Sequence, residues 1–170
     1  MTYTSTSVNP VTASRRHFED LAIDEVIDLG TVTVSKEMII SFAREFDPFP
    51  FHLDEGAAKA SLLGGLASSG WQTAALSLRM LGDKFLNHVA SMGGLGFSDL
   101  KWIKPVMVGD TIGGTATISA LRRSRSHPER GIVTLDFDIR NQKREPVMSL
   151  RLANLVELRD PSAPIGGDHV

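Results

Sequence analysis

One segment constrains the fold of this chain more than any other. From Trp71 to Val89, Trp71, Ala74, Ala75, Leu78, Leu81, Phe85 and Val89 recur at three- and four-residue steps, flanked by Leu76, Met80 and Leu86. That spacing marks one face of an α-helix. Its first half has so few polar residues that the helix is expected to be covered on most sides, with Asp83, Lys84, Asn87 and His88 marking where it emerges into solvent. Beyond it the period falls to two. Ile112, Gly114, Ala116, Ile118 and Ala120 alternate with small polar residues or glycine, Val133, Leu135, Phe137 and Ile139 alternate with Thr134, Asp136, Asp138 and Arg140, and Met148, Leu150, Leu152 and Val156 share a face within Val147 to Leu158. These patterns predict half-buried strands. A strand over Gly96 to Ile103 precedes them, joined to the next across Lys104 to Asp110, and Glu25 to Val34 supplies an earlier one. One long helix followed by an antiparallel sheet defines an α+β fold with the helix packed on the sheet.

Composition narrows the chemistry. The chain has 170 residues, 42% hydrophobic and 22% charged, with a formal net charge of -2, values expected of a single domain. The near-neutral balance gives no footprint for nucleic acid, and no apolar run reaches the length of a membrane-spanning helix. With no cysteine, disulfides, thiol nucleophiles and zinc-thiolate sites are excluded. Residues 1–17, rich in Ser and Thr with Pro10, Arg15 and Arg16, read as a flexible arm. Their scarcity of acid also fits an organelle transit peptide, but Pro10 and the lack of an amphipathic period favour a disordered terminus. No secretory signal is seen, and a cytoplasmic location is expected. Pro161, Pro164, Gly166 and Gly167 mark residues 160–170 as a tail, which leaves residues 18–159 as the domain.

Two runs carry the possible chemistry. Ser35 offers an N-cap to a helix through Met38, Ile39, Phe42, Ala43 and Phe46, which must stop at Asp47, because Pro48 and Pro50 push the residues before them out of the α region. Asp47 to Phe51 is therefore expected to be extended and stiff, and Asp54 to cap a further helical turn. The run Asp47-Pro-Phe-Pro-Phe-His52 holds a carboxylate and an imidazole five residues apart on that stiff backbone. Such a pair suits acid/base work, and Phe46, Phe49 and Phe51 would surround the carboxylate with apolar rings. The bland alternative is that Asp47 ends a helix and His52 precedes a cap. The second run, Leu63-Gly-Gly-Leu-Ala-Ser-Ser-Gly70-Trp71, leads into the long helix. Free N–H groups at a helix N-terminus can stabilise an oxyanion, and Gly70 lets a ligand approach. Here the alternative is that Ser68 or Ser69 is only an N-cap and the glycines only make a turn.

Together the runs acquire a resemblance. Asp47-x-x-Pro50-x-His52, followed eighteen residues later by Gly70 at the head of an apolar helix, is similar to the MaoC-like hot-dog family, which includes R-specific enoyl-CoA hydratases. Lys104-Pro-Val-Met-Val-Gly109-Asp110-Thr111 resembles that family's later signature, a Pro-x-x-x-Gly-Asp turn between two strands, so the likeness covers most of residues 20 to 158. It implies a single hot-dog, in which a curved antiparallel sheet wraps a long central helix, paired into a homodimer with acyl-thioester sites near the interface. It implies a hydro-lyase that adds water to a trans-2-enoyl thioester or removes it from the 3-hydroxyacyl form. Asp47 and His52 would activate the water and shuttle protons, and the Gly70 N–H would polarise the thioester carbonyl. No cofactor is implied beyond coenzyme A or an acyl carrier as part of the substrate.

The departures from that pattern are specific. Hydratases usually have Asn where this chain has Phe49 and often His where it has Ser69; a branch of MaoC-like dehydratases with Asp-Pro-x-Pro-Phe-His and Ala-Ser-Gly-Trp is closer. Phe49, Phe51, Ser69 and Trp71 are the candidate substrate-binding residues, with core packing the alternative for Phe49 and Trp71. His17, His88, His127 and His169 lack metal-ligand spacing and read as surface residues. Arg122, Arg123, Arg125 and Arg130 cluster in a turn that could meet coenzyme A phosphates or simply be solvated, and Asn154 on an apolar strand face needs a buried partner. Two other readings remain. A hot-dog thioesterase would need a carboxylate on the central helix, where only the distal Asp83 stands, and a non-catalytic binding or assembly subunit would be signalled by a broken Asp/His pair, which here is intact.

Overall fold

The computed structural model describes residues 15–162. Five antiparallel strands, β1 (Val26–Thr33), β2 (Ser91–Trp102), β3 (Thr111–Arg123), β4 (Arg130–Asn141) and β5 (Pro146–Glu157), form one sheet in the order β1-β3-β4-β5-β2. The core lies between this sheet and α4 (Gly70–Lys84), where Leu29, Ile112, Ile118, Leu135, Ile139 and Met148 meet Leu81 and Phe85. The alternation read from β3, β4 and β5 is the pattern that puts these side chains on one face. A five-stranded antiparallel sheet around a central helix is the α+β hot-dog arrangement.

The α4 helix differs from its sequence pattern in two ways. It ends at Lys84, and a 3-10 turn at Leu86–His88 follows in place of helix through Val89. Its buried face carries Gln72, Thr73, Ser77, Met80 and Leu81, while Trp71 and Leu78 stay about half exposed at 50% and 45%. Polar residues can turn inward because each has a partner. The Ser68 hydroxyl donates to Gln72 Oε1, Gln72 Nε2 donates to the Met38 carbonyl, and the Thr73 and Ser77 hydroxyls donate to the Ser69 and Thr73 carbonyls. In a single protomer, then, the helix is not covered on most sides.

Before α4 the chain forms α1 (Lys36–Phe46), α2 (Pro50–Leu53) and α3 (Glu55–Ala60). Ser35 caps α1 by accepting from the Met38 N–H, and Asp54 caps α3 by accepting from Ala57. The extended segment stops sooner than its two prolines suggest. Pro50 starts a helical turn, since a ring-fixed φ and a missing N–H suit the first helical position, and that turn carries Phe51 and His52. At the termini, Arg16 already belongs to the fold: its N–H donates to the His88 carbonyl, its carbonyl accepts from Ala90, and its guanidinium pairs with Glu25 at 2.6 Å. Residues 1–14 and 163–170, with most of the expected arm and tail, lie outside the described residues.

Candidate active site

Both chemistry-bearing runs converge on one cleft. Asp47 follows the last residue of α1, and its N–H donates to the Ala43 carbonyl; His52 projects from α2 and is 7% exposed. The His52 Nδ1 lies 2.9 Å from the Ala67 carbonyl oxygen. A carbonyl only accepts, so Nδ1 carries the proton and, in the neutral ring, Nε2 carries the free lone pair. That Nε2 faces Asp47 Oδ2 at 3.7 Å, beyond direct hydrogen-bonding distance. The Phe51 ring stands edge-on to the imidazole with centroids 4.7 Å apart, and Phe49 stacks on Phe51 at 5.4 Å.

Ser69 ties this pair to α4. Its hydroxyl donates to Asp47 Oδ2 at 2.6 Å and accepts from the Trp71 N–H at 3.1 Å, so one side chain caps the helix and holds the carboxylate. The Gly70 N–H, at the first position of the helix, has no acceptor among the described residues. It lies at the positive end of the α4 dipole, beside the Asp47–Ser69 contact.

The later signature positions the same loop. Gly109 takes a left-handed φ of 85° and Asp110 Oδ2 accepts from the Met107 N–H, which closes the turn between β2 and β3. That turn runs against residues 66–68: the Ser68 N–H donates to the Val106 carbonyl, and the Val108 N–H donates to Leu66. The carbonyl that orients His52 and the start of α4 are thus fastened by residues some forty positions downstream.

The cleft measures about 410 Å³. Asp47, Phe49, Phe51, His52, Gly70 and Trp71 all line it, while Ser69 is buried behind Asp47. Phe46 does not wrap the carboxylate; it is 68% exposed and packs on Phe42. The cleft also contains residues the sequence reading missed, including Leu63, Thr73, Ile103, Val106 and above all Trp102. A Cβ at Gly70 would overlap the Trp102 indole, so glycine is required there by ring packing as well as by access. The strand read from Gly96 to Ile103 places Trp102 beside the recognised turn, but nothing local in the sequence signals its contact with Gly70.

The remaining candidates fall elsewhere. His88 and His127 are exposed, and His17, partly buried, has an Nδ1 without a partner; His169 lies outside the described residues. The arginine cluster sits on the β3–β4 hairpin, where Arg123 donates to the Asp160 carbonyl and Arg130 pairs with Glu129. Register places Arg123 level with Gly131, Val156 and Ser91, at the opposite end of the sheet from Trp102. Asn154, 2% exposed, does find partners: its amide donates to Ser91 Oγ and the Leu155 carbonyl. Among the described residues no helix is long and apolar enough to cross a membrane and no cluster of ligating side chains suits a metal ion.

An antiparallel sheet wrapped on a central helix in this way is the fold of a family of hydratases and dehydratases. The MaoC like domain matches residues 19–137, and the chain belongs to that family. A MaoC-like dehydratase from Rhodospirillum rubrum superposes with a TM-score of 0.77 at 41% identity, over 85% of this chain and 98% of that one. An uncharacterised Bacillus subtilis protein, YdeM, is 29% identical over 139 residues, covering 82% of this chain and 97% of its own. A mesaconyl-CoA hydratase of Haloarcula hispanica is 34% identical over 74 residues, which span 43% of this chain and 21% of that enzyme.

Proposed function

We propose that this protein is an acyl-thioester hydro-lyase that reversibly hydrates a trans-2-enoyl-CoA, with Asp47 and His52 as its acid/base pair. The observation that carries this reading is the 3.7 Å gap between His52 Nε2 and Asp47 Oδ2, beside the unpaired Gly70 N–H. Two acceptors facing each other suit a water that donates one proton to each and keeps its oxygen lone pairs free to attack. Addition at Cβ moves charge onto the thioester oxygen, where the Gly70 N–H and the α4 dipole stabilise the enolate. The pair takes one proton from the water and delivers one to Cα, so H and OH are added and the site returns to its starting state. The mesaconyl-CoA hydratase similarity is consistent with a coenzyme A thioester.

A second copy of the chain completes the reading. The outer edge of β2 exposes Met92, Leu95 and Phe97, each about half accessible, and an open apolar strand edge is a pairing surface. The thioesterase reading gains nothing, because Asp83 sits at the far end of α4 and pairs with Arg79. The test is loss of enoyl absorbance when purified protein meets a panel of short, medium and branched trans-2-enoyl-CoA thioesters, with Asp47→Asn alongside. Turnover that vanishes in the variant is expected. No turnover of any panel member, or full activity in the variant, overturns the assignment, and release of free thiol would point to hydrolysis instead.

A further inference from the structure

A second apolar space lies along α4. It measures about 210 Å³ and is lined by Ala74, Leu78, Phe97, Leu100, Leu150 and their neighbours, with no lining residue in common with the catalytic cleft. The two nevertheless abut. The cleft takes Gly70, Trp71 and Thr73 from α4 and Trp102 from β2, and the cavity begins at Ala74 and Leu100. The four helix residues from Gly70 to Ala74, or the two strand residues from Trp102 to Leu100, span only about 6 to 7 Å.

Two indoles stand on that boundary. Trp102 lies so close over Gly70 that no Cβ would fit, and Trp71 meets it edge-on with centroids 5.3 Å apart. Trp71 shares its helix face with Ala74, Ala75 and Leu78, so the pair stands in line with the groove between α4 and β2. We propose that Trp102, seated on Gly70 and braced by Trp71, closes the catalytic cleft against the cavity beneath β2 and restricts the site to short acyl chains.

This inference rests on the hydro-lyase reading for the orientation of the thioester. With its carbonyl oxygen on the Gly70 N–H, the thioester sits against the residue on which the Trp102 ring packs. The coenzyme A arm, polar and charged, leaves by the open mouth, where Lys104 pairs with Glu145. A longer acyl tail running along α4 meets the indole before it reaches the apolar cavity. Each methylene denied burial forgoes about fourfold in affinity.

The experiment is calorimetric binding of the unreactive thioesters butanoyl-CoA and octanoyl-CoA to the native protein and to Trp102→Ala, with crotonyl-CoA hydration measured in parallel. The native protein is expected to bind octanoyl-CoA no more tightly than butanoyl-CoA, and Trp102→Ala to raise the octanoyl-to-butanoyl affinity ratio at least tenfold. Trp102→Leu, which keeps an apolar side chain, should raise it less, and adding Ala74→Leu to Trp102→Ala should remove the gain by filling the cavity. A native preference for octanoyl-CoA, or a ratio unchanged in both Trp102 variants, overturns the gate even where crotonyl-CoA is hydrated. Failure of the native protein to hydrate crotonyl-CoA or any other member of the enoyl-CoA panel, with the ratio change intact, overturns the hydro-lyase reading and leaves the gate standing.

Discussion

The Ser69 hydroxyl has one proton to give and gives it to Asp47, while its oxygen accepts from the first turn of α4. It fixes which way the carboxylate faces, and it occupies the place where related hydratases often carry histidine. Ser69→Ala should therefore lower kcat by about tenfold or more, the scale of a lost hydrogen bond to a charged group, with little change in KM. It should also cost about 1 kcal/mol of stability through the missing cap. Ser69→Thr should restore most of both, and a Ser69→Ala protein with native kcat would show that Asp47 needs no such restraint. Asp47→Asn and His52→Ala should each abolish turnover yet keep the native circular dichroism spectrum, since neither side chain is part of the hydrophobic cluster between the sheet and α4; unfolding in both would make the pair structural. Asp47, His52 and Gly70 were legible because two prolines and a helix start fix them locally. Trp102 was not, because its role depends on a contact with Gly70 across 32 positions of sequence.

Elements with a clean period were readable and those with mixed chemistry were not. β3, β4 and β5 fall within a few residues of their alternation, whereas β2 starts five residues earlier than its pattern, because Gly93, Gly94 and Gly96 break the register at successive bulges. The buried face of α4 departs from its pattern for a related reason: Gln72 turns inward on a tertiary bond to Met38, while Thr73 and Ser77 satisfy their hydroxyls on carbonyls one turn back, and no hydrophobic period carries that information. The segment ahead of β1 yields a prediction about acid. The Arg16 guanidinium, hydrogen-bonded to Glu25, holds its carboxyl below the ordinary range against the opposing effect of burial. A depressed carboxyl contributes stability that is present above its unfolded value and disappears as pH falls through the folded one. Glu25→Gln should thus cost roughly 0.5 to 1 kcal/mol near neutrality, and the difference should close as the pH drops below the carboxylate range. Urea midpoints of the two proteins at neutral and acid pH measure this, and a gap that persists in acid would assign the loss to packing.

At the scale of the whole molecule, the two edges of the sheet are unequal. β1 is short, carries Asp28 and is bulged at Gly30, features that blunt an edge against pairing, whereas β2 runs twelve residues and exposes Met92, Leu95 and Phe97. Beside it Leu78 of α4 is also half exposed, so the apolar margin is continuous from strand to helix. A second copy related by two-fold symmetry matches that margin with itself, because antiparallel pairing of identical strands is self-complementary. The native protein should sediment at twice 18.5 kDa, and Leu95→Lys with Phe97→Asp should yield a folded monomer. That monomer should also lose much of its kcat/KM although Asp47 and His52 are untouched, because the α4 face that Leu78 shares with the cleft-lining Trp71 then opens to water. A native monomer, or a charged variant that still dimerises, would show that β2 is not the pairing edge; a fully active monomer would show that the cleft is complete within one chain.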